Sequence, residues 1–133
     1  MKDLTIHIGE HGVATFSASV ALDFSGVKGC KAFYCDSYKN GDMHLKRVDG
    51  VVPPHFGLLL TTDDEKAADV VVPVASKDSK LKGNLFIATD EAPYVATEGE
   101  TILALGVKNG KAGFYYVAPG VSVPQGKCYL VQE

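Results

Sequence analysis

Apolar and polar residues alternate over Leu4-Thr5-Ile6-His7-Ile8, the period-two pattern of a strand with one face buried. Gly9 to Gly12 reads as a turn, and Val13 to Leu22 predicts a long strand with Ala14, Phe16, Ala18, Val20 and Leu22 on its core face. A first hairpin is expected between these two runs. After a turn at Asp23 to Gly26, the runs Cys30 to Tyr38 and Asp42 to Val48 flank Lys39-Asn40-Gly41, and Thr101 to Val107 and Lys111 to Val117 flank Lys108-Asn109-Gly110. Asn-Gly tolerates the two positive φ angles of a type I′ turn, so both pairs are predicted hairpins. Two further bends share a logic. Val52-Pro53 leads through Gly57 into Leu58-Leu59-Leu60, and Val123-Pro124 leads through Gly126 into Cys128-Tyr129-Leu130. Proline lacks the N–H that would continue a ladder and glycine opens the bend, after which the apolar run can pair.

Thr62 to Glu65 has capping-box spacing, but Val70-Val71-Val72 restores strand character, so at most one helical turn is expected there. Leu85 to Ala88 predicts another strand. Ser76 to Lys82 and Thr89 to Gly99 are the least regular stretches and the expected loops for binding. Asn40-Gly41 recurs 69 positions later as Asn109-Gly110, Pro53 recurs 71 later as Pro124, and Leu60 recurs 70 later as Leu130. The order hairpin, V-P bend, closing strand therefore predicts an internal pseudo-repeat. With about nine short strands and a turn every 8 to 12 residues, the fold class expected is all-β. The architecture expected is an antiparallel β-sandwich with Greek-key connections, ahead of a closed barrel.

Composition narrows the function. Residues 1–133 suit one domain, and 46% hydrophobic with 22% charged residues is ordinary globular usage, which argues against disorder. A net charge of −3, with no basic stripe interleaved with aromatics, argues against nucleic acid as a partner. No run approaches the roughly 18 apolar residues of a membrane-spanning helix. These features fit either a cytoplasmic protein or the mature part of an exported one.

The segments ATFSASVALDF, KAFYCDSYKNGDMHLKRVDGVVPPHFGLLL, the Gly83-Asn84-Leu85 turn and GFYYVAPGVSVPQGKCYLV together resemble the β-sandwich modules of secreted and surface proteins of gut Bacteroidetes. Such modules often follow leucine-rich repeats or other domains at a C-terminus, and pair a V-P-x-x-x-G-[VL]-[LY]-L loop with a P-x-G-K-x-Y-L strand. The likeness runs from Val13 onward. Pro54 and Phe56 are bulkier than the small polar residues of that loop. The resemblance implies a secreted or cell-surface location and an accessory role, and it carries no catalytic residue.

Candidate chemistry is sparse. His7-Ile8-Gly9-Glu10-His11 matches H-x-x-E-H, but that motif binds zinc from a helix, and here a strand runs into a turn, so no metal site is expected. Cys35 and His44 fall opposite one another across the first Asn-Gly hairpin, yet no nucleophile elbow accompanies them and no catalytic residue is assigned. Asp63, Asp64, Glu65 and Asp69 lack calcium-loop spacing and read as a solvated loop. No phosphate loop or dinucleotide fingerprint appears, so no cofactor is expected. Cys30, Cys35 and Cys128 read as small buried hydrophobes, with Cys30 and Cys35 on opposite sheet faces. Among six tyrosines, Tyr94, Tyr115 and Tyr116 are the candidate ligand contacts, since an aromatic face packs on a pyranose and the hydroxyl adds a hydrogen bond. The expected function is a non-catalytic structural or interaction module whose partners are neighbouring domains or other surface proteins. The alternative is a glycan-binding module using exposed tyrosines on one sheet face.

Overall fold

A computed structural model describes residues 3–132 apart from 78 and 80. It is all-β, and no helix occurs among the described residues. Its strands are β1 (Asp3–Ile8), β2 (Val13–Phe16), β3 (Leu22–Asp23), β4 (Cys30–Lys39), β5 (Asp42–Val48), β6 (Val51–Val52) and β7 (Leu58–Thr62), then β8 (Ala68–Pro73), β9 (Ile87–Ala88), β10 (Tyr94–Val95), β11 (Ile102–Lys108), β12 (Lys111–Val117), β13 (Ser122–Val123) and β14 (Cys128–Val131). All paired strands are antiparallel. Among the described residues the count is 14 rather than about nine. The excess consists of two-residue ladders at bends, too short for alternation to register.

Both Asn-Gly hairpins form as the sequence predicts. Asn40 and Gly41 have φ of 51° and 81°, and Asn109 and Gly110 have 53° and 77°, the two positive angles that match hairpin twist. A bulge between Cys35 and Ser37 shifts the β4–β5 register, so His44 stands opposite Ser37.

The two sets of strands around these hairpins have one order. The first four-stranded sheet runs β2-β7-β4-β5 with β3 paired to β6, and the second runs β9-β14-β11-β12 with β10 paired to β13. Register carries the correspondence to single residues. Ala32 pairs with Leu60 as Ile102 pairs with Val131, and Phe16 pairs with Leu58 as Ile87 pairs with Tyr129, so the counterpart of Leu60 is Val131, one position beyond the Leu130 that the spacing predicts. His55 N–H donates to the Ala18 carbonyl just as Gly126 N–H donates to that of Thr89. Equivalent positions also meet across the halves. A Cβ placed on Gly57 would lie 2.7 Å from the Cβ of its counterpart Cys128 and 2.8 Å from that of Phe86, closer than side-chain packing allows. Gly57 is glycine because the two halves touch there.

One hydrophobic cluster draws on both four-stranded sheets, with Cys35, Leu59, Phe33 and Leu45 from the first and Cys128, Leu130, Leu103 and Leu105 from the second. The opposite face of the first sheet is sealed by the ribbon β1–β8. Ile6, Ile8, Val70 and Val72 point inward and join Ala32, Tyr34, Leu58 and Leu60 in the largest cluster, while His7, Asp69 and Val71 point outward. A bridge from Leu22 to Val74 ties this ribbon to β3.

Two expectations are corrected here. β1 pairs with β8, not with β2, because the apolar face of Ile6 and Ile8 finds its match in Val70 and Val72. Val13 to Leu22 is not one strand. The chain leaves its sheet after Phe16, Ser17 donates to the Gly126 carbonyl, and Val20 is exposed while Ser17 is buried, so the parity fails midway. No helical turn forms after Thr62; residues 63–66 form turns and bends, with Glu65 at a φ of 58°. Of the loop over residues 76–82, positions 78 and 80 lie outside the described residues.

All three cysteines are free and buried. Cys30 lies in the cluster under the ribbon and Cys35 in the cluster shared by the sheets, the opposite faces their spacing predicts. Burial pushes the Cys30 thiol up to about 11 and the Cys128 thiol up to about 12. Thiols held protonated and out of solvent are poor nucleophiles and metal ligands.

Candidate functional site

Among the described residues, no ribbon in the second half covers the face that β1–β8 seals in the first. That face is crossed by one row of paired residues, Tyr115–Ala104–Tyr129–Ile87, beside a second, Val117–Ile102–Val131. Ile87 is 41% exposed and Val131 39%, whereas Leu60, the counterpart of Val131, is fully buried. Ala96, Ile102, Val123 and Tyr129 form a small core under β10–β13.

The predicted tyrosines divide between two places. Tyr94 stacks on Tyr129, with ring centroids 4.7 Å apart. Its hydroxyl donates to the Glu100 carboxylate at 2.6 Å, and that carboxylate also accepts from the Thr97 hydroxyl at 2.6 Å and the Thr97 N–H at 3.0 Å. The Glu100 hydrogen bond raises the Tyr94 pKa, and the Thr97 hydroxyl, followed by Tyr94, lowers that of Glu100. Tyr115 lies against Gly106 and Gly113 on the uncovered face, donates to the Lys111 carbonyl at 2.9 Å and has the Lys108 ammonium 5.9 Å from its ring centroid. An aromatic ring over paired glycines supplies the side-chain surface they lack. Tyr116 points to the other face and is 57% exposed. Tyr115 and Tyr116 both border a depression of about 640 Å³ that Tyr94 does not reach. The three therefore do not form one platform.

Tyr94 instead borders a second depression, of about 600 Å³, with Tyr129, Ile87, His55, Asp90 and Glu91. His55 Nδ1 lies 2.5 Å from Asp90 Oδ2 and 3.5 Å from Glu91 Oε1. The Asp90 side chain is only 4% exposed. Its Oδ2 accepts from the Ser19 hydroxyl at 2.8 Å, and its own carbonyl accepts from Gln125 Nε2 at 3.0 Å. Burial alone would raise the Asp90 pKa, but hydrogen bonds from Ser19 and His55 outweigh it, and the net effect is a lowering. His55 has a left-handed backbone, φ 61°, where its counterpart Gly126 has 84°. Few residues other than glycine adopt that region, asparagine, aspartate and histidine most readily.

A group whose folded pKa is depressed stabilises the fold above its unfolded value and loses that contribution as pH falls through the folded one. Asp23, Asp36 and Asp90, with ordinary values of 3.8, are all depressed. Glu100, ordinarily 4.5, is depressed as well, so urea unfolding is expected to give a free energy that falls below about pH 4.5. Asp90→Asn should make that acid limb shallower by up to one proton, about 1.4 kcal/mol per pH unit; an unchanged limb would remove Asp90 from the account.

The other residues weighed for chemistry stay apart. His7 is exposed and pairs with Asp69 across the ribbon, and His11 is exposed in the turn. His44 contacts Asp36 rather than Cys35, whose side chain faces the core, because the bulge turns the two away from each other. Asp63, Asp64 and Glu65 are exposed. Sequence reasoning missed His55, Asp90 and Glu91. Asp90 and Glu91 fall in the Thr89 to Gly99 stretch read as a binding loop, and the signal for His55 is a bulky residue at the bend position where the second copy has Gly126.

No protein family model, curated protein or solved structure matches this chain. The geometry therefore carries the functional reading by itself.

Proposed function

We propose that this chain is a non-catalytic interaction module of an exported or cell-surface protein, built as a β-sandwich with Greek-key connections. Its contact surface is the part of that face of the second half that β10–β13 leaves open, around Ile87 and Val131. The observation that carries this reading is the unequal treatment of equivalent positions, Leu60 fully buried and Val131 39% exposed. Ile87 and Val131 stay exposed on either side of Tyr129, which β10–β13 buries, and neighbouring exposed apolar side chains mark a contact site more often than isolated ones do. The covering of the first half suggests the kind of partner, an extended segment with alternating Ile and Val from a neighbouring domain or another surface protein.

A photo-crosslinking residue placed at Ile87 tests this in the producing cell, with the same residue at Val71, exposed on the outer side of the β1–β8 ribbon, as control. Adducts at 87 and none at 71 are expected. Equal labelling, or none at either, would contradict the assignment.

The glycan-binding reading rests on a different observation, the Tyr94–Tyr129 stack bordering a depression that also holds His55, Asp90 and Glu91. Aromatic walls with a few polar groups suit a small polar ligand. Retardation in polysaccharide-containing gels that is lost in Tyr94→Ala would support this alternative over the interaction surface.

A further inference from the structure

We infer that His55, Asp90 and Glu91 form a binding site for a divalent transition-metal cation, with zinc as the natural probe. One ligating atom from each lies within 4.8 Å of the others, the single such group among the described residues. The ligands come from two separate bends that meet where the halves join, so the fold rather than a local motif assembles them.

The donor set selects the metal class. One imidazole nitrogen with two carboxylates suits zinc and its first-row neighbours, whereas calcium requires six to eight oxygens. In a tetrahedral shell with bonds of about 2.0–2.2 Å, neighbouring ligand atoms are roughly 3.4 Å apart. The His55–Glu91 separation of 3.5 Å already matches. The His55–Asp90 separation of 2.5 Å is that of a hydrogen bond, with one proton between the two atoms. A cation displacing that proton to solvent would part the two atoms by under about 1 Å, within reach of an exposed imidazole. Water from the adjoining depression would complete the shell.

Two further features separate this group from the other histidine–aspartate contacts. Asp90 Oδ2, the oxygen that meets His55, also accepts from the Ser19 hydroxyl at 2.8 Å, which fixes the position of that carboxylate. The pairs His7–Asp69 and His44–Asp36 have more exposed carboxylates, 65% and 27% against 4%, and neither has a third ligand among the described residues. They serve as internal controls.

Isothermal titration of the intact chain with zinc, alongside its thermal unfolding, tests the site. One equivalent of zinc is expected to bind and to raise the melting temperature. His55→Gly should abolish both effects while leaving the circular dichroism spectrum intact, since the equivalent bend is built on Gly126. Glu91→Gln, whose side chain is 78% exposed and not needed for folding, should weaken binding at least about tenfold. His7→Ala and His44→Ala should bind as the parent does. No heat of binding to the parent chain would overturn the inference. So would binding that survives both His55→Gly and Glu91→Gln, or that is lost with His7 or His44.

Discussion

Gly57→Ala is expected to lower the unfolding free energy by about 2–3 kcal/mol, measured by urea titration. The added methyl would sit 2.7 Å from Cys128 Cβ and 2.8 Å from Phe86 Cβ. Both are the first atoms of their side chains, so neither can swing away by changing rotamer. Relief requires moving one half relative to the other, and a close-packed interior resists that. Gly50→Ala is the comparison. Nothing lies within 4 Å of a Cβ there and its φ is not positive, so the substitution should be neutral or stabilising by a few tenths of a kcal/mol. Equal costs at the two positions would place Gly57 in open space.

The second large effect separates two positions that the topology makes equivalent. Leu60→Ala should cost about 2–5 kcal/mol, because it empties a fully buried site under the ribbon. Val131→Ala, at the matching place on the uncovered face, should cost less than about 1 kcal/mol. Chemical denaturation of the two variants side by side measures the difference. Similar losses would mean that the second face is sealed as well, and the proposed contact surface would be gone.

These two sites also show how far the sequence could be read. Asn40-Gly41 and Asn109-Gly110 were legible because their backbone angles follow from the residues themselves. The V-P bends were legible for the same reason, and with the hairpins they revealed the repeated order that both sheets follow. The pairing of β1 with β8 was not. Ile6 and Val70 are 64 positions apart, and period-two alternation states that a strand has an inner face without stating which strand lies beside it. Val13 to Leu22 misleads in another way. Its alternation continues past Phe16, but Ser17 bonds to Gly126 of the other half and the chain changes sheets, a choice made by a residue more than a hundred positions away.

The candidate site was less legible than the fold. All six tyrosines carry the same chemistry in the sequence, and only their neighbours distinguish Tyr94, stacked and tied to Glu100, from Tyr116, left in solvent. His55 lay in a bend read for its proline and glycine, and Asp90 and Glu91 lay in the segment singled out as irregular. Their meeting depends on how the halves join, which no local pattern encodes.

That joining is best measured by a double-mutant cycle between Gly57→Ala and Cys128→Gly. If the two equivalent positions abut, removing the Cys128 side chain makes room for the new methyl, and the double variant should be about 1–2 kcal/mol more stable than the sum of the single changes predicts. Phe86 stays in place, so the relief should be partial. Additivity to within about 0.5 kcal/mol would contradict the contact and the two-fold packing of the halves built on it.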